Sequence, residues 1–441
     1  MGEYKPITND VPVDVESGTV TKIDESKKSI RPAQHRLVSL DVFRGITVAL
    51  MILVDDAGAF IPAINHSPWN GVNLADFVMP FFLFIVGVAL ALAYKRVSDK
   101  SDASKKAVLR ALKLFALGLF LQGGYFHGVY NLSYGVDLSS IRIMGVLQRI
   151  AIAYLLVAIC EIWLRNDGDG PPVDSGCGLL RKYRYQLLVG FILTVIYTIL
   201  LYGVRVSDWK YAIQDGTSAP QYYYVKCGVR GNTGPGCNAV ASIDRKILGL
   251  QHLYRKPVYK RTEECSMRSP QNGPLPVDAP SWCQAPFDPE GLLSSVMAIV
   301  TCLIGLQFGH VIVYFKDHRS RIMLWLIPSC FLLALAFCLD FFGIQMNKPL
   351  YTLSYTCVTA GAAGILFAGI FVLVDVYGLR KPTIAFEWMG KHALMIYIFI
   401  GCNLLPVLIQ GIYWKKPENN LVSYLFNINY FLSGINLCKY L

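Results

Sequence analysis

Charged residues are scarce in this chain. Only 16% of its 441 residues are Asp, Glu, Lys or Arg, whereas 54% are hydrophobic. Soluble domains carry about 25% charged and roughly 45–50% apolar residues, so the composition argues against a single soluble domain. The chain also lacks the alternating pattern of a transmembrane β-barrel strand, because residues 187–204 are apolar on all sides. Membrane-spanning helices remain, since a helix satisfies its backbone hydrogen bonds internally.

Signals for several other protein classes are missing as well. The glycine-rich residues 231–239 match neither a Walker nor a dinucleotide-binding fingerprint. Residues 1–36 contain no apolar segment and no small-residue cleavage site, so no secretory signal peptide is predicted. The net charge of +11 comes mostly from Lys and Arg between apolar segments. That distribution indicates membrane topology and lipid headgroups as partners rather than nucleic acid.

Apolar runs long enough to cross about 30 Å of hydrocarbon, which takes about 20 helical residues, recur along the chain. They predict an all-α, polytopic transmembrane bundle of about ten helices, the last of them the weakest: residues 46–64, 75–94, 111–126, 143–164, 187–204, 291–315, 322–343, 351–378, 384–413 and 421–434. Residues 1–35 are too polar to order themselves, so we expect a disordered cytosolic tail there. Residues 36–441 then form the transmembrane domain.

Lys and Arg are distributed unevenly among the predicted loops, and cytosolic loops are enriched in them. They follow each even-numbered span: Lys95, Arg96, Lys100, Lys105, Lys106, Arg110 and Lys113; Arg165, Arg181, Lys182 and Arg184; Lys316, Arg319 and Arg321; Arg380 and Lys381. Residues 59–74 and 123–141 contain none. We therefore predict that the even-numbered exits and the amino terminus are cytosolic. His66, Lys348 and the long loop 205–290 then face the lumen or the cell exterior.

Four cysteines lie in that long loop: Cys227, Cys237, Cys265 and Cys283. In an oxidising compartment, four cysteines indicate two disulfides. A zinc site is the alternative, but Cys227 and Cys237 are ten residues apart and no CxxC or His-rich spacing accompanies them. We predict disulfides and no metal, and the spacing leaves the pairing open.

Polar residues are concentrated at the junction of the first two predicted spans. The segment INHSPWNGVNLADFVMPFF, residues 64–82, holds Asn65, His66, Trp69, Asn70 and Asp76. Its Pro and Gly residues break helices, which predicts a tight turn that folds His66 back toward the bundle. Asp76 falls in the first turn of the second span, where the helix dipole favours an anion.

A purely structural role is the simpler alternative for His66 and Asp76, as a solvated loop residue and an N-terminal helix charge. Asp55 and Asp56, however, lie in the first span. Carboxylates inside a membrane are costly enough to indicate function. They supply the imidazole with candidate partners, as proton chemistry requires. We therefore hypothesise that His66 is the centre of a catalytic site.

Two arginines, Arg142 and Arg149, begin the fourth span seven residues apart and therefore on one helix face. Two cations on one buried stripe suggest an anionic ligand, for which phosphates are natural candidates. An internal ion pair between Arg149 and a carboxylate such as Asp76 is an equally good interpretation. The sequence does not choose between the two.

Several motifs, in order along residues 36–403, resemble one family: RLVSLDVFRG, NHSPWNGVNLADFVMPFFLFIVG, IRIMGVLQRIAIAY, NTGPGCNAVASIDRKILG, DPEGLL and NKPLYTLSY. Together they resemble the catalytic region of the heparan-alpha-glucosaminide N-acetyltransferases. The resemblance implies transfer of an acetyl group from cytosolic acetyl-CoA to the amino group of a glucosamine-like acceptor on the lumenal side. The expected partners are membrane lipid, acetyl-CoA and an amino sugar or glycan, and a homodimer is compatible with the sequence.

In that family the His of the H-x-x-W-N-G motif is the proposed active-site residue, and it corresponds to His66. Asp55 stands where relatives often have Asn, and the remaining expected binding residues fall in the family motifs: Trp69, Asn70, Asp76, Arg142, Arg149, Lys348 and Ser354. We expect Asp55 to hold the imidazole, and we expect Asn65, Asn70 or a nearby backbone N–H to stabilise negative charge on the thioester carbonyl. His66 either takes a proton from the amine or is itself acetylated first.

Departures from the family pattern limit what the resemblance implies. We expect no additional lumenal domain before residue 36. The residues after Trp414 do not follow the pattern of the family's last helix. A catalytically inactive relative is therefore one alternative to an active acetyltransferase. A secondary transporter is another, although no repeat between the two halves is apparent. An endomembrane, such as a vacuole, lysosome, ER or Golgi membrane, or the plasma membrane is the expected location.

Overall fold

The structure is a computed structural model. It describes residues 37–58, 61, 63–95, 97, 99–123, 125–127, 133–135, 141–165, 175–213, 221–254 and 258–401. The predicted tail, residues 1–35, and the predicted span at 421–434 lie outside these residues, as does the end of the span predicted at 384–413.

The described residues are mostly helical. The helices are α1 Val38–Ala57, α2 Leu74–Ala93, α3 Lys100–Gly123, α4 Val146–Trp163, α5 Gly176–Lys182, α6 Arg184–Gly203, α7 Ala239–Leu248, α8 Leu292–Tyr314, α9 His318–Phe341, α10 Leu353–Phe371, α11 Ile384–Lys391 and α12 Ala393–Gly401. A π-helical turn, Val372–Val376, continues α10. Short 3₁₀ turns lie at Leu250–His252, Val258–Arg261, Ser281–Gln284 and Lys381–Thr383. Two antiparallel hairpins complete the fold: β1 Tyr125–His127 with β2 Ser133–Gly135, and β3 Trp209–Ile213 with β4 Gln221–Val225.

Six helices are long and apolar enough to cross a membrane: α2, α4, α6, α8, α9 and α10 with its continuation. The helical, membrane-embedded architecture is thus confirmed, whereas the predicted number of about ten spans is not. The first helix also differs from the prediction, because α1 begins at Val38 and ends at Ala57 instead of covering 46–64. An ion pair within α1 accounts for its early start, since Arg44 Nη1 lies 3.2 Å from Asp41 Oδ1 and the two charges satisfy one another.

Close packing of α2 against α8 sets the geometry of the bundle. A methyl group on Gly305 would lie 2.1 Å from the backbone oxygen of Phe84, and one on Gly87 would lie 2.0 Å from that of Cys302. Gly309 completes a small-x-x-x-small pair with Gly305 on the same face of α8. Small residues let two helix backbones approach closely in a membrane, where van der Waals contact drives association. The two helix N-termini are therefore held beside one another.

A buried polar network joins α4, α6 and α8 further along the bundle. The Glu161 carboxylate contacts His310 Nε2 at 2.9 Å and accepts a hydrogen bond from Gln186 Nε2 at 2.8 Å. Gln307 extends the network by donating to Gln186 Oε1 at 3.0 Å. Because removing one partner of a buried pair costs about 3–5 kcal/mol, this network ties three helices together.

The described residues between 205 and 290, namely 205–213, 221–254 and 258–290, form a disulfide-linked segment over the N-terminal ends of α2 and α8. Disulfides join Cys227 to Cys237 and Cys265 to Cys283, as two bridges predicted from the cysteine count. The indole of Trp69 is 6% exposed and packs edge-on against Tyr259 and Phe287 of this segment. The segment therefore covers the turn that carries His66.

Gly305→Ala tests the α2–α8 contact. The added methyl group overlaps the Phe84 carbonyl, so the helices must separate, and overpacking of this kind costs about 1–3 kcal/mol. We expect a lower thermal unfolding midpoint for the detergent-solubilised protein. Gly369→Ala is the matched control, because a methyl group there has nothing within 4 Å. An equal change in both variants contradicts the proposed role of this contact.

Candidate active site

The carboxylate of Asp76 organises the turn at the start of α2. It is 1% exposed, and its Oδ2 accepts hydrogen bonds from the backbone N–H groups of Ser67, at 3.0 Å, and Asn73, at 2.9 Å. Its Oδ1 lies 2.8 Å from Nδ1 of His66. The turn therefore folds His66 back onto the bundle as predicted, and Asp76 supplies the carboxylate partner of the imidazole.

Lys348 approaches the same imidazole from the loop between α9 and α10. Its Nζ lies 2.8 Å from His66 Nδ1 and 3.5 Å from Asp76 Oδ1. The neighbouring Asn347 fixes this loop, because its Nδ2 donates to the backbone oxygen of Trp69 and to Oδ1 of Asn70, each at 3.1 Å. Nδ1 of His66 can donate to Asp76 or accept from Lys348, but not both at once. When it donates to Asp76, Nε2 keeps its lone pair.

The surroundings lower the pKa of His66 below its usual value of 6.5. Burial in the wall of the site is the largest cause, the ammonium of Lys348 is the second, and both outweigh the hydrogen bond to Asp76. The side chain still has 41% of its surface exposed, toward the cavity described next. The imidazole is therefore neutral at neutral pH and stays so further into the acidic range than an ordinary histidine.

A cavity of about 910 Å³, the His66 cavity, opens beside this imidazole. On the bundle side its wall contains His66, Asp76, Lys348, Arg142 and Glu290. The disulfide-linked segment forms the opposite wall and contributes, among others, Lys260 and Arg261. The cavity is thus lined by charges of both signs.

Asn65 connects the two walls of the His66 cavity. Its Oδ1 accepts one hydrogen bond from the backbone N–H of His66, at 2.7 Å, and another from Nη1 of Arg261, at 2.9 Å. Both contacts use the amide oxygen, so Nδ2 has no hydrogen-bond partner among the described residues. An amide donor beside the imidazole is the arrangement that the prediction for Asn65 requires.

Four of the predicted binding residues do not line the His66 cavity. Trp69 donates from Nε1 to the backbone oxygen of Thr233, and Asn70 pairs with Asn347. Ser354 is fully buried against Thr352. Arg149, 2% exposed, donates to the backbone oxygen of Pro289 and to the hydroxyls of Ser294 and Ser295. The alternative pair between Arg149 and Asp76 does not form, because Asp76 is already occupied by the His66 turn.

Arg142 is the arginine that reaches the cavity. Its guanidinium binds Asp288 through two hydrogen bonds, of 2.9 and 2.5 Å, and also donates to Oε2 of Glu290. Its other face stacks on the ring of Tyr254, 4.6 Å from the centroid. Glu290 belongs to the DPEGLL motif, but its place in the cavity was not predicted from the sequence. A carboxylate two residues before a spanning helix was the signal that could have indicated it.

Asp55 lies in the last turn of α1, with an exposed side chain. The carboxylate in contact with His66 is that of Asp76, and Asp55 instead interacts electrostatically with the phenol of Tyr397 in α12. The role expected for Asp55 as the group that holds the imidazole stays a prediction.

A second cavity of about 640 Å³, the α3 cavity, opens at the other end of the bundle. It lies between α2, α3, α4 and α12, and its basic lining residues are Arg44, Lys106, Arg110 and Lys391. Tyr154 forms part of the wall, with Arg110 over its ring and its hydroxyl 3.2 Å from that of Tyr94. This cavity was not predicted from the sequence. Helices that are distant in the chain form it, and no sequence motif indicates such a cavity.

The inner ends of the two cavities approach one another. Asp76 lines the His66 cavity and Phe82 lines the α3 cavity. Both residues belong to α2, and the six residues from one to the other span about 9 Å along the helix. Tyr397 lines the α3 cavity, and its phenol interacts electrostatically with Arg142 and Glu290 of the His66 cavity. A thin partition therefore separates the cavities.

Within the described residues, no group of three or more His, Cys, Asp or Glu side chains is arranged to hold a metal ion.

Lys348→Met tests the electrostatic coupling at His66. Removing the ammonium is expected to raise the pKa of the imidazole, since Lys348 is the main charge that lowers it. Diethyl pyrocarbonate modifies only neutral imidazole, so peptide mass spectrometry reports the pH midpoint of His66 modification, which should move upward. Lys260→Met, in the opposite wall of the same cavity, should leave the midpoint in place. An unchanged midpoint in Lys348→Met contradicts the coupling.

Comparison with known proteins agrees with the motifs. The family described as "Heparan-alpha-glucosaminide N-acetyltransferase, catalytic" matches residues 36–165. The heparan-alpha-glucosaminide N-acetyltransferase of Mus musculus is 28% identical over 397 residues, covering 85% of this chain and 55% of the mouse protein. The Homo sapiens protein of the same name is 27% identical over 438 residues, covering 92% and 59%. The chain spans somewhat more than half the length of these curated relatives. The resemblance carried by the motifs is thus confirmed: over most of its length the chain is similar to proteins named heparan-alpha-glucosaminide N-acetyltransferase.

Proposed function

We propose that this protein transfers an acetyl group from acetyl-CoA, bound in the α3 cavity, to an amine bound in the His66 cavity. The observation that carries the proposal is the carboxylate-held imidazole of His66 at the inner end of one cavity, a short distance from the inner end of the other. An acyl donor and an acceptor entering from opposite ends would meet at this partition. Reactants held in one geometry gain a large rate advantage over free ones.

His66 is the proposed base. With Nδ1 donating to Asp76, Nε2 takes a proton from the attacking amine and delivers it to the departing thiolate of CoA. A second route uses the same atom as a nucleophile, so that Nε2 carries the acetyl group before the amine does. Asp76 holds the tautomer in both routes. Its own contacts to two backbone N–H groups keep it in place.

The thioester carbonyl oxygen gains negative charge when it is attacked, and a donor aimed at it lowers the barrier. The Nδ2 amide of Asn65 is the proposed donor, because its oxygen is held by Arg261 and by the backbone of His66. Lys348 adds positive charge beside the imidazole. Four residues are proposed as positioning residues: Trp69, Asn70, Arg149 and Ser354. They fix the turn, the 345–352 loop and the start of α8, and they do not line the cavity.

The α3 cavity suits CoA through one of its basic residues. Arg44, Lys106 and Lys391 pair with Asp41, Asp102 and Glu387. Arg110 lies over the ring of Tyr154 and has no ion-pair partner among the described residues, so its guanidinium is the one proposed to bind the phosphates of a nucleotide. The same basic residues indicate the cytosolic side by the positive-inside rule. The His66 cavity and its disulfide-linked cover then face the lumen or exterior, where disulfides persist. The acceptor class proposed is an amino sugar, following the names of the relatives, in an endomembrane or the plasma membrane.

A secondary transporter is the second candidate, because two cavities that open at opposite ends of a helical bundle also suit alternating access. The two functions differ in one observable, namely whether the acetyl group leaves CoA. A catalytically inactive relative would bind acetyl-CoA without this step.

His66→Ala is expected to reduce acetyl transfer by at least about 100-fold, the lower end of the usual contribution of a general base. The assay uses purified protein, radiolabelled acetyl-CoA and a panel of amino sugars. His392→Ala is the control, because His392 is exposed on the bundle surface. Label transfer that persists at the native rate in His66→Ala removes His66 from the mechanism. Accumulation of label in vesicles with an intact thioester supports the transporter.

Arg110→Ala tests the donor site. We expect the KM for acetyl-CoA to rise about tenfold, which corresponds to roughly 1.4 kcal/mol, with little change for the amine. Lys113→Ala is the matched control, one helical turn away on α3 and outside the cavity wall. Equal effects of the two substitutions would assign the loss to overall charge and place the donor elsewhere.

A further inference from the structure

Glu290 occupies an unusual position in the His66 cavity. It lies two residues before α8, next to the N-cap residue Gly291, and its backbone N–H donates to Oδ1 of Asp288 at 3.0 Å. Its Oε2 accepts a hydrogen bond from Arg142. Its Oε1 has no hydrogen-bond donor among the described residues, and 13% of the side chain is exposed. One carboxylate oxygen is therefore held while the other is available.

The remaining acidic groups near the cavity have no such capacity. Asp76 contacts His66, Lys348 and two backbone N–H groups. Asp288 is fully buried and uses both oxygens on Arg142. Asp76 and Glu290 are the acidic residues among those that line the cavity in the described part of the chain. Glu290 is thus the one whose charge can be offered to a ligand.

The charge of Glu290 is secured by its neighbours. Burial alone would raise the pKa of this carboxyl, but Arg142, Arg149 and Lys348 outweigh burial and hold the pKa below its usual value. The carboxylate also interacts electrostatically with His66, which lines the same cavity. An ionised group with one available oxygen therefore lies in the same cavity as the imidazole.

A cationic ligand needs such a group here. Four basic residues line the cavity and repel an ammonium ion: Arg142, Lys260, Arg261 and Lys348. Charge-assisted hydrogen bonds to a carboxylate are roughly twice as strong as neutral ones. A protonated amine entering the cavity is therefore stabilised at Oε1 of Glu290 and disfavoured over the rest of the wall.

We propose that Glu290 binds the acceptor as an ammonium ion and presents its nitrogen to His66. The proposal rests on the proposed acetyl transfer and names the group that selects a charged amine. Arg142 is a positioning residue in this arrangement, since its contacts with Asp288 and Tyr254 fix the carboxylate.

The proton balance of the reaction agrees with this assignment. An ammonium ion must lose one proton before its nitrogen has a lone pair, and it loses a second when the amide forms. One proton passes through His66 to the sulfur of CoA as the carbon–sulfur bond breaks, and the other leaves to solvent. The products are the N-acetylated amine, the CoA thiol and one released proton.

Glu290→Gln tests the proposal, because the amide oxygen still accepts the hydrogen bond from Arg142 while the charge is lost. Two acceptors are compared: glucosamine, which binds as an ammonium ion, and 4-methoxyaniline, which is uncharged at neutral pH. The KM for glucosamine is expected to rise at least about tenfold, with the KM values for 4-methoxyaniline and acetyl-CoA unchanged. Glu263→Gln, an exposed carboxylate of the disulfide-linked segment, is the control and should resemble the native protein.

Binding is measured separately, so that an inactive protein still gives an answer. Glucosamine at millimolar concentration should raise the thermal unfolding midpoint of the native protein, and this shift should be lost in Glu290→Gln. Equal losses for both acceptors, or no stabilisation of the native protein by glucosamine, would overturn the role of Glu290. Absence of acetyl transfer with a shift that depends on Glu290 would reject the enzyme and retain the ammonium site.

Discussion

The contact between the buried carboxylate of Asp76 and the imidazole of His66 is the interaction on which the site depends. A carboxylate at a helix N-terminus is stabilised by the helix dipole and by backbone N–H groups that have no partner within the helix. Asp76 uses this position twice, because it accepts hydrogen bonds from Asn73 and Ser67 and also fixes His66. The same group therefore begins α2, folds the preceding turn and sets the tautomer of the candidate base.

The packing of α2 against α8 positions the other residues of the cavity relative to Asp76 and His66. Glycines at the contact bring the backbones together, so the N-termini of both helices open onto one space. Asp244 begins α8 much as Asp76 begins α2, by accepting hydrogen bonds from the backbone N–H groups of Leu292 and Leu293. Glu290 lies two residues before that helix and lines the same cavity as His66. A membrane-embedded packing motif thus determines the distance between a base and a carboxylate that are more than 200 residues apart in the chain.

Local features of the site could be predicted from the sequence, whereas long-range features could not. The turn at His66 and the dipole position of Asp76 follow from Pro68, Gly71 and the onset of an apolar run. Asp76 was one of several carboxylates that the sequence offered to the imidazole, and the fold shows that it contacts His66, whereas the role expected for Asp55 stays a prediction. Lys348 and Glu290 reach the cavity through tertiary contacts that leave no periodic signal. Two disulfides were predicted from the number of cysteines, but their pairing required the fold.

The electrostatics of the cavity favour different roles for His66 and Glu290. A histidine with a lowered pKa is a weaker base, yet it stays neutral where an ordinary imidazole would be protonated. General bases act best when their pKa lies near the working pH, so a lowered pKa suits His66 to act as a base at a pH where an ordinary histidine is protonated. At such a pH the amine proposed as acceptor is mostly an ammonium ion, which a neutral imidazole alone attracts poorly. The proposed role of Glu290 supplies the missing negative charge, because Arg142 and its neighbours hold the pKa of this carboxyl below its usual value.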